Sequence, residues 1–150
     1  MANTYTSLNY HVVFSTKNRE PWLEAAIRER LWPYIGGIAR DNGMKALEVG
    51  GVADHVHLLV SIPASMALSK AVQLLKGGSS HWVKDTFPNI AGFSWQDGYG
   101  AFTVSQSQLD VVRQYVRNQE EHHRTKTFEE EYRAFLKRNH VDSDDRYLLG

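Results

Sequence analysis

The run Asp54-His55-Val56-His57-Leu58-Leu59-Val60 constrains this chain more than any other segment. Its composition marks a strand, and successive side chains on a strand point to opposite faces. His55 and His57 therefore share one face, while Val56 and Leu58 share the other. Two imidazoles one pleat apart can converge on one ion, and imidazole suits several transition metals. The pattern equally fits one surface histidine beside one hydrogen-bonded interior histidine. Two ligands make a poor site, so the metal reading needs a third from elsewhere.

The segments around this run alternate between two periodicities. Residues 5–15, rich in β-branched and aromatic side chains, predict a strand, and Lys17-Asn18-Arg19 a turn. Pro21 can open a helix running to about Asp41, made irregular by Pro33 and Gly36-Gly37 and stopped by Asn42-Gly43. Strands are expected over 44–51 and 55–62. Ser65 is then the expected cap of a helix over 66–84, in which Gly77-Gly78 predicts a break or a close backbone approach. A strand over 101–105, a helix from Gln108 to about His123 capped by Ser107, and a last helix over 128–138 complete the order. This β-α-β-β-α-β succession is that of a ferredoxin-like (RRM-like) α+β domain: an antiparallel sheet with helices on one face, followed here by C-terminal helices. Residues 140–150 form a polar tail without periodicity, expected to be mobile, although Tyr147-Leu148-Leu149 could dock on a partner.

Composition narrows the class without naming it. The 150 residues suit one domain, 1–150, and 42% hydrophobic content with four Trp, seven Tyr and six Phe is enough for a packed core. With no cysteine, disulfides and thiolate metal sites are excluded. No apolar run approaches a membrane span and no signal-peptide pattern is present, so a cytoplasmic protein is expected. The 17 basic and 17 acidic residues balance, which argues against non-specific coating of nucleic acid. The charges are nonetheless unevenly placed. Lys70, Lys76, His81 and Lys84 precede the first acid of their segment, while acids collect at Glu120-Glu121, 129–131 and 142–145.

The helix after the last strand offers further ligands. Tyr115 and Gln119 are four residues apart and share a face, with His122 continuing near that stripe. A tyrosine hydroxyl can attack phosphorus and form a covalent ester, provided a metal or base assists a group whose ordinary pKa is near 10. The Gln119 amide oxygen could complete a metal shell one turn away. A tyrosine on an amphipathic helix is also an ordinary core or interface residue, and spacing alone leaves both open.

Together these segments resemble the small single-tyrosine transposases of the IS200/IS605 type, within the HUH endonuclease superfamily. The resemblance extends over almost the whole chain. It takes in His11-Val12-Val13-Phe14-Ser15-Thr16-Lys17, the histidine run, Leu75-Lys76-Gly77-Gly78-Ser79-Ser80, Trp95-Gln96-Asp97-Gly98-Tyr99-Gly100-Ala101-Phe102 and Tyr115-Val116-Arg117-Asn118-Gln119-Glu120-Glu121-His122-His123. It implies that His55 and His57 are the eponymous pair, that Tyr115 is the nucleophile, and that Gln119 is the third protein ligand of Mg2+ or Mn2+, with His122 auxiliary. It further implies a bacterial or archaeal, DNA-associated homodimer whose tyrosine helix is often exchanged between subunits. The substrate would be single-stranded DNA flanked by a hairpin, cut and rejoined through a 5′-phosphotyrosine with release of a 3′-OH. Lys17, Arg19, Lys70, Lys76, Arg113 and Arg117 are the candidate DNA contacts. Three rival readings remain: a repeat-associated domesticated relative, a non-catalytic nucleic-acid-binding module on the same scaffold, and a metal-dependent hydrolase using water.

Overall fold

Strand alternation sorts the chain's side chains into two layers, and the computed structural model, which describes residues 3–146 and 148, shows what covers each. The elements are β1 (Asn9–Ser15), α1 (Ala25–Asp41), β2 (Lys45–Val52), β3 (His55–Ser61), α2 (Leu68–Thr86), β4 (Gly100–Thr103), α3 (Leu109–Arg117), α4 (Gln119–His122) and α5 (Phe128–Arg138). The strands form one antiparallel sheet in the order β2-β3-β1-β4, so that β3 is an inner strand between β2 and β1. This is the ferredoxin-like arrangement expected from the element order.

On one face Val12, Phe14, Val56, Leu58 and Val60 pack with Leu31 and Ile35 of α1 and with Val72 and Leu75 of α2. On the other face Val13 and Phe102 meet Phe128, Tyr132, Phe135 and Leu136 of α5. The C-terminal helices thus close the second face of the sheet, with His11, His55 and His57 sealed between the layers. No described helix is long and apolar enough to cross a membrane.

Several boundaries differ from expectation for identifiable reasons. α1 begins at Ala25, because residues 21–24 run extended after the Lys17–Arg19 turn and Leu23 N–H bonds to Ala53 O. α2 starts after Ala67, not Ser65, and Gly77-Gly78 does not break it. A Cβ on Gly78 would fall 2.9 Å from Ile38 Cδ1, so this glycine serves the close approach of α1 and α2. The helix expected from Gln108 to His123 is interrupted at Asn118, between α3 and α4. The polar tail folds back on its own chain: Arg133 pairs with Asp145 at 2.8 Å, and Leu148 is buried in the second core. Tyr147 and Leu149 lie outside the described residues.

One glycine decides how α3 is seated. Gly50 stands directly opposite His57 on β2, and a Cβ there would lie 2.1 Å from the Val116 carbonyl oxygen. The α3 backbone therefore rests on the strand itself, which brings Tyr115 and Gln119 down to the histidines.

Candidate active site and metal centre

β3 delivers His55 and His57 to the second face with both rings fully buried, as alternation predicts. Each ring is held from behind. His55 Nδ1 lies 2.8 Å from Asp54 Oδ1, and His57 Nδ1 lies 2.7 Å from Nε2 of His11, on the neighbouring strand. The Asp54 contact leaves the lone pair of a neutral His55 on Nε2, pointing into the space between sheet and helices.

From the helical side Gln119, His123, Glu131 and Tyr115 complete the cluster. Gln119 Nε2 donates to Tyr115 O at 3.1 Å, which turns Oε1 of the amide toward His55 Nε2, 3.2 Å away. His123 Nδ1 donates to Lys126 O at 2.6 Å, so its Nε2 also faces inward. Glu131, 2% exposed, places Oε1 2.8 Å from His57 Nε2 and 3.6 Å from His55 Nε2. Tyr115 donates its hydroxyl hydrogen bond to Glu131 Oε2 and lies 3.1 Å from His122 Nε2.

Glu131 faces inward because of how α5 begins. Thr127 Oγ1 accepts from Glu130 N–H at 3.2 Å and Glu130 Oε1 accepts from Thr127 N–H at 3.3 Å, a reciprocal capping box. With the helix start fixed there, Phe128, Glu131, Tyr132, Phe135 and Leu136 form the buried stripe.

Ligand atoms of His55, His57, His123 and Glu131 lie within 4.8 Å of one another. The donor chemistry fits a divalent cation. His123 Nε2 is 3.2 Å from Glu131 Oε1 but off the line a hydrogen bond requires, leaving it a buried atom without a hydrogen-bond partner. His55 Nε2 and Gln119 Oε1 likewise confront each other as two acceptors when His55 is neutral. Lone pairs converging from imidazole, amide and carboxylate repel unless positive charge lies among them.

The electrostatics differ among the imidazoles. Burial drives His57 down to about 4 despite the raising effect of Glu131, and burial with the His57 charge drives His11 to about 3. Both rings are therefore neutral at pH 7. Burial opposes ionisation of Glu131, yet the surrounding His123, His57 and Tyr115 hold its carboxyl well below the usual range. His123 shifts upward, since Glu131 outweighs the effect of burial. Burial first, then Glu131, raise the Tyr115 phenol above the ordinary tyrosine range.

The sequence matches the profile of the family described as IS200-like transposases over residues 4–119. The chain belongs to this family. This IS200-like transposase is 28% identical to the ISDra2 transposase TnpA of Deinococcus radiodurans over 117 residues, covering 75% of this chain and 84% of that protein. It is 27% identical to the transposase for insertion sequence element IS200 of Salmonella typhimurium over 125 residues, 79% of this chain and 81% of the relative. Among solved structures it resembles that of a proposed transposase from Deinococcus radiodurans R1, with TM-score 0.65, 27% identity, and coverage of 79% of this chain and 96% of the other. Its fold also resembles that of a REP-associated tyrosine transposase bound to a REP hairpin, with TM-score 0.56, 14% identity, and coverage of 77% and 68%. The family is one of metal-dependent enzymes that nick DNA through a tyrosine, and the His/His/His/Glu cluster beside Tyr115 is consistent with that chemistry.

Of the residues singled out from the sequence of this transposase, His55, His57, Tyr115, Gln119 and His122 all converge, within one chain. The six cations do not. Lys17 pairs with Asp97 at 3.2 Å and Arg117 with Glu48 at 2.8 Å. Lys76 donates to the carbonyls of Gln96, Asp97 and Gly98 at 2.6, 3.2 and 2.9 Å, fastening that loop. Lys70 is exposed on α2, and Arg113 Nε is buried without a hydrogen-bond partner. Arg19 lines a groove of about 800 Å³ with Asn18, Asp54, His123, Arg124 and Lys126. A smaller cleft, about 60 Å³, opens beside Tyr115, His122, Lys126, Glu131 and Arg138.

Sequence reasoning missed Glu131, His123, His11 and the Asp54 brace. The signal for Glu131 was present: a Thr-x-x-Glu cap at 127–130 sets the helix start, and the stripe that follows has a charge at a core position.

Proposed function

We propose that this transposase cuts and rejoins single-stranded DNA beside a hairpin, with Tyr115 as nucleophile and a Mg2+ or Mn2+ ion held by His55, His57 and Gln119. The observation that carries the reading is the placement of the Tyr115 hydroxyl, which shares the Glu131 carboxylate with His57. His123 and Glu131 belong to the same donor cluster, whose imidazole content favours Mn2+ over the harder Mg2+. His55, His57 and Gln119 would hold such a cation, which would supply Lewis-acid charge at the scissile phosphate.

The chain's own residues account for the remaining requirements. Asp54 and His11 fix the two histidine rings. Gln119 ties the backbone of Tyr115 to the centre, and Glu131 with His122 hold the phenolic proton. Attack of the Tyr115 oxygen on phosphorus forms the 5′-phosphotyrosine and breaks the bond to the 3′ oxygen. That oxygen leaves as a free 3′-OH, taking up the proton the phenol gives up. The phosphodiester energy is retained in the new ester, so a second 3′-OH can reverse the step without ATP.

The strand's backbone would run along the groove beside Arg19, Arg124 and Lys126, where phosphate contacts fix its position. Among the six expected cations Arg19 is the best placed for this, and Lys76 the least, its donors being engaged. A homodimer would supply one nucleophile for each of two DNA ends, with each tyrosine serving the histidines of its own chain.

Incubation with a hairpin-bearing single strand and Mn2+ or Mg2+ tests the reading. A denaturation-resistant protein–DNA adduct is expected with wild type and none with Tyr115→Phe. Cleavage that survives Tyr115→Phe would mean that water is the nucleophile.

A further inference from the structure

The profile match ends at residue 119, yet the cluster does not. Twelve residues further on, Glu131 divides its two oxygens between two sets of partners. Oε1 faces the inward nitrogens of His57, His123 and His55 at 2.8, 3.2 and 3.6 Å. Oε2 takes the Tyr115 hydroxyl and lies 3.1 Å from His122 Nε2. Among the described residues no arginine or lysine forms an ion pair with this buried carboxylate. Its neighbours are the imidazoles of His55, His57 and His123, whose outer nitrogens are engaged with Asp54, His11 and Lys126 O, a fourth imidazole from His122, and one phenol. A buried carboxylate requires a compensating charge, and the Oε1 side is where the unshared donor pairs converge.

We propose that Glu131 is both an ion ligand, through Oε1, and the positioning residue that holds the Tyr115 hydroxyl beside that ion, through Oε2. α5 then supplies the part that joins nucleophile and metal into one site. The inference rests on the assignment of Tyr115 and the histidine pair made above. A side chain spanning both groups sets their separation, a quantity on which the rate of an in-line attack depends steeply. Neither oxygen can move without disturbing the other, since both belong to one rigid plane.

Titration calorimetry of the metal-free full chain with MnCl2 reads the ligand role, and adduct formation on a hairpin-bearing single strand reads the positioning role. Glu131→Gln keeps the shape and removes the charge. It is expected to weaken Mn2+ at least about tenfold. With Mn2+ saturating, it should lower kcat for adduct formation by a similar factor while KM for the strand stays unchanged. Glu131→Asp keeps the charge but shortens the reach, and should recover most of the Mn2+ affinity without recovering kcat. Wild-type Mn2+ affinity in Glu131→Gln overturns the ligand role, and a wild-type kcat in both variants overturns the positioning role. If Glu131→Gln does not fold, Glu131→Asp decides: full kcat overturns the proposal, and metal binding with lost kcat supports it. Should wild type bind Mn2+ but form no adduct, the assignment of Tyr115 fails instead, and the Mn2+ titration still decides the ligand role.

Discussion

The two faces of the sheet are made by the same strands and obey opposite rules. Val12, Phe14, Val56, Leu58 and Val60 point toward α1 and α2, where full burial of each large side chain contributes about 1.5–3 kcal/mol. One residue along, His11, His55 and His57 point toward α3 and α5, where burial costs free energy unless every nitrogen finds a partner. Apolar packing is thus concentrated on one parity of the strand and the donor cluster on the other. A one-residue slip of β3 would exchange them, which makes the register of this inner strand doubly specified.

The comparison breaks most visibly at two adjacent residues of β3. Leu58→Ala should cost about 2–5 kcal/mol, lowering Tm by roughly 4–20 °C, while the rise in Tm on adding Mn2+ persists. His57→Ala should abolish both that rise and adduct formation, the latter by about a thousandfold or more, on the scale of losing a member of a catalytic unit. Calorimetric scans with and without Mn2+, paired with the adduct assay, distinguish the two. If the Mn2+ effect survived His57→Ala, the division between faces would be wrong.

Acid sharpens the contrast, because only one face titrates. His11 and His57 have folded pKa values of about 3 and about 4, below the ordinary 6.5. Between those limits the unfolded chain binds more protons than the native one, so stability falls as pH drops below 6.5. Above 6.5 the contribution is fully present. Urea denaturation of the metal-free protein should show a loss of about 2 kcal/mol per ring between pH 7 and pH 5. In His11→Leu the slope should be about half as steep, whereas Leu58→Ala should lower the curve without changing its slope.

The smallest expected effect is behind the proposed metal ligands. Asp54→Asn alters the brace on His55 Nδ1 without touching either core, and should weaken Mn2+ about 10–100-fold while moving Tm by only a degree or two. A change in Tm comparable to that of Leu58→Ala would mean that Asp54 belongs to the packing.

Much of this molecule was legible in its sequence, for reasons that differ by region. Strand parity gave the shared face of His55 and His57, and the 3.6 period placed Tyr115 with Gln119. α5 was legible to the residue, as a helix over 128–138 that ends where the polar tail loses periodicity, although its Thr127 cap went unread. Local rules failed where tertiary contacts decided. Residues 21–24 have a proline and helix formers but stay extended, because Leu23 bonds to the β2–β3 turn. Nor does a sequence reveal that three carbonyls of a distant loop converge on the Lys76 ammonium. Glu131 sat within an acidic run that resembled a solvated surface until the cap fixed which of the three acids turns inward.

The division between the faces is also a division in time. The apolar face draws its residues from the segment between Tyr10 and Ala101, whereas the covering of the histidine face comes from the 47 residues between Phe102 and Leu148. At a synthesis rate of about 5–20 residues per second, that second segment takes roughly 2–9 s to emerge after the first. At the start of that interval His11, His55 and His57 stand on the strands with neither Tyr115 nor Glu131 yet made. Glu131 follows Tyr115 by sixteen residues, so the histidine face is closed only after the apolar face has its full complement of residues.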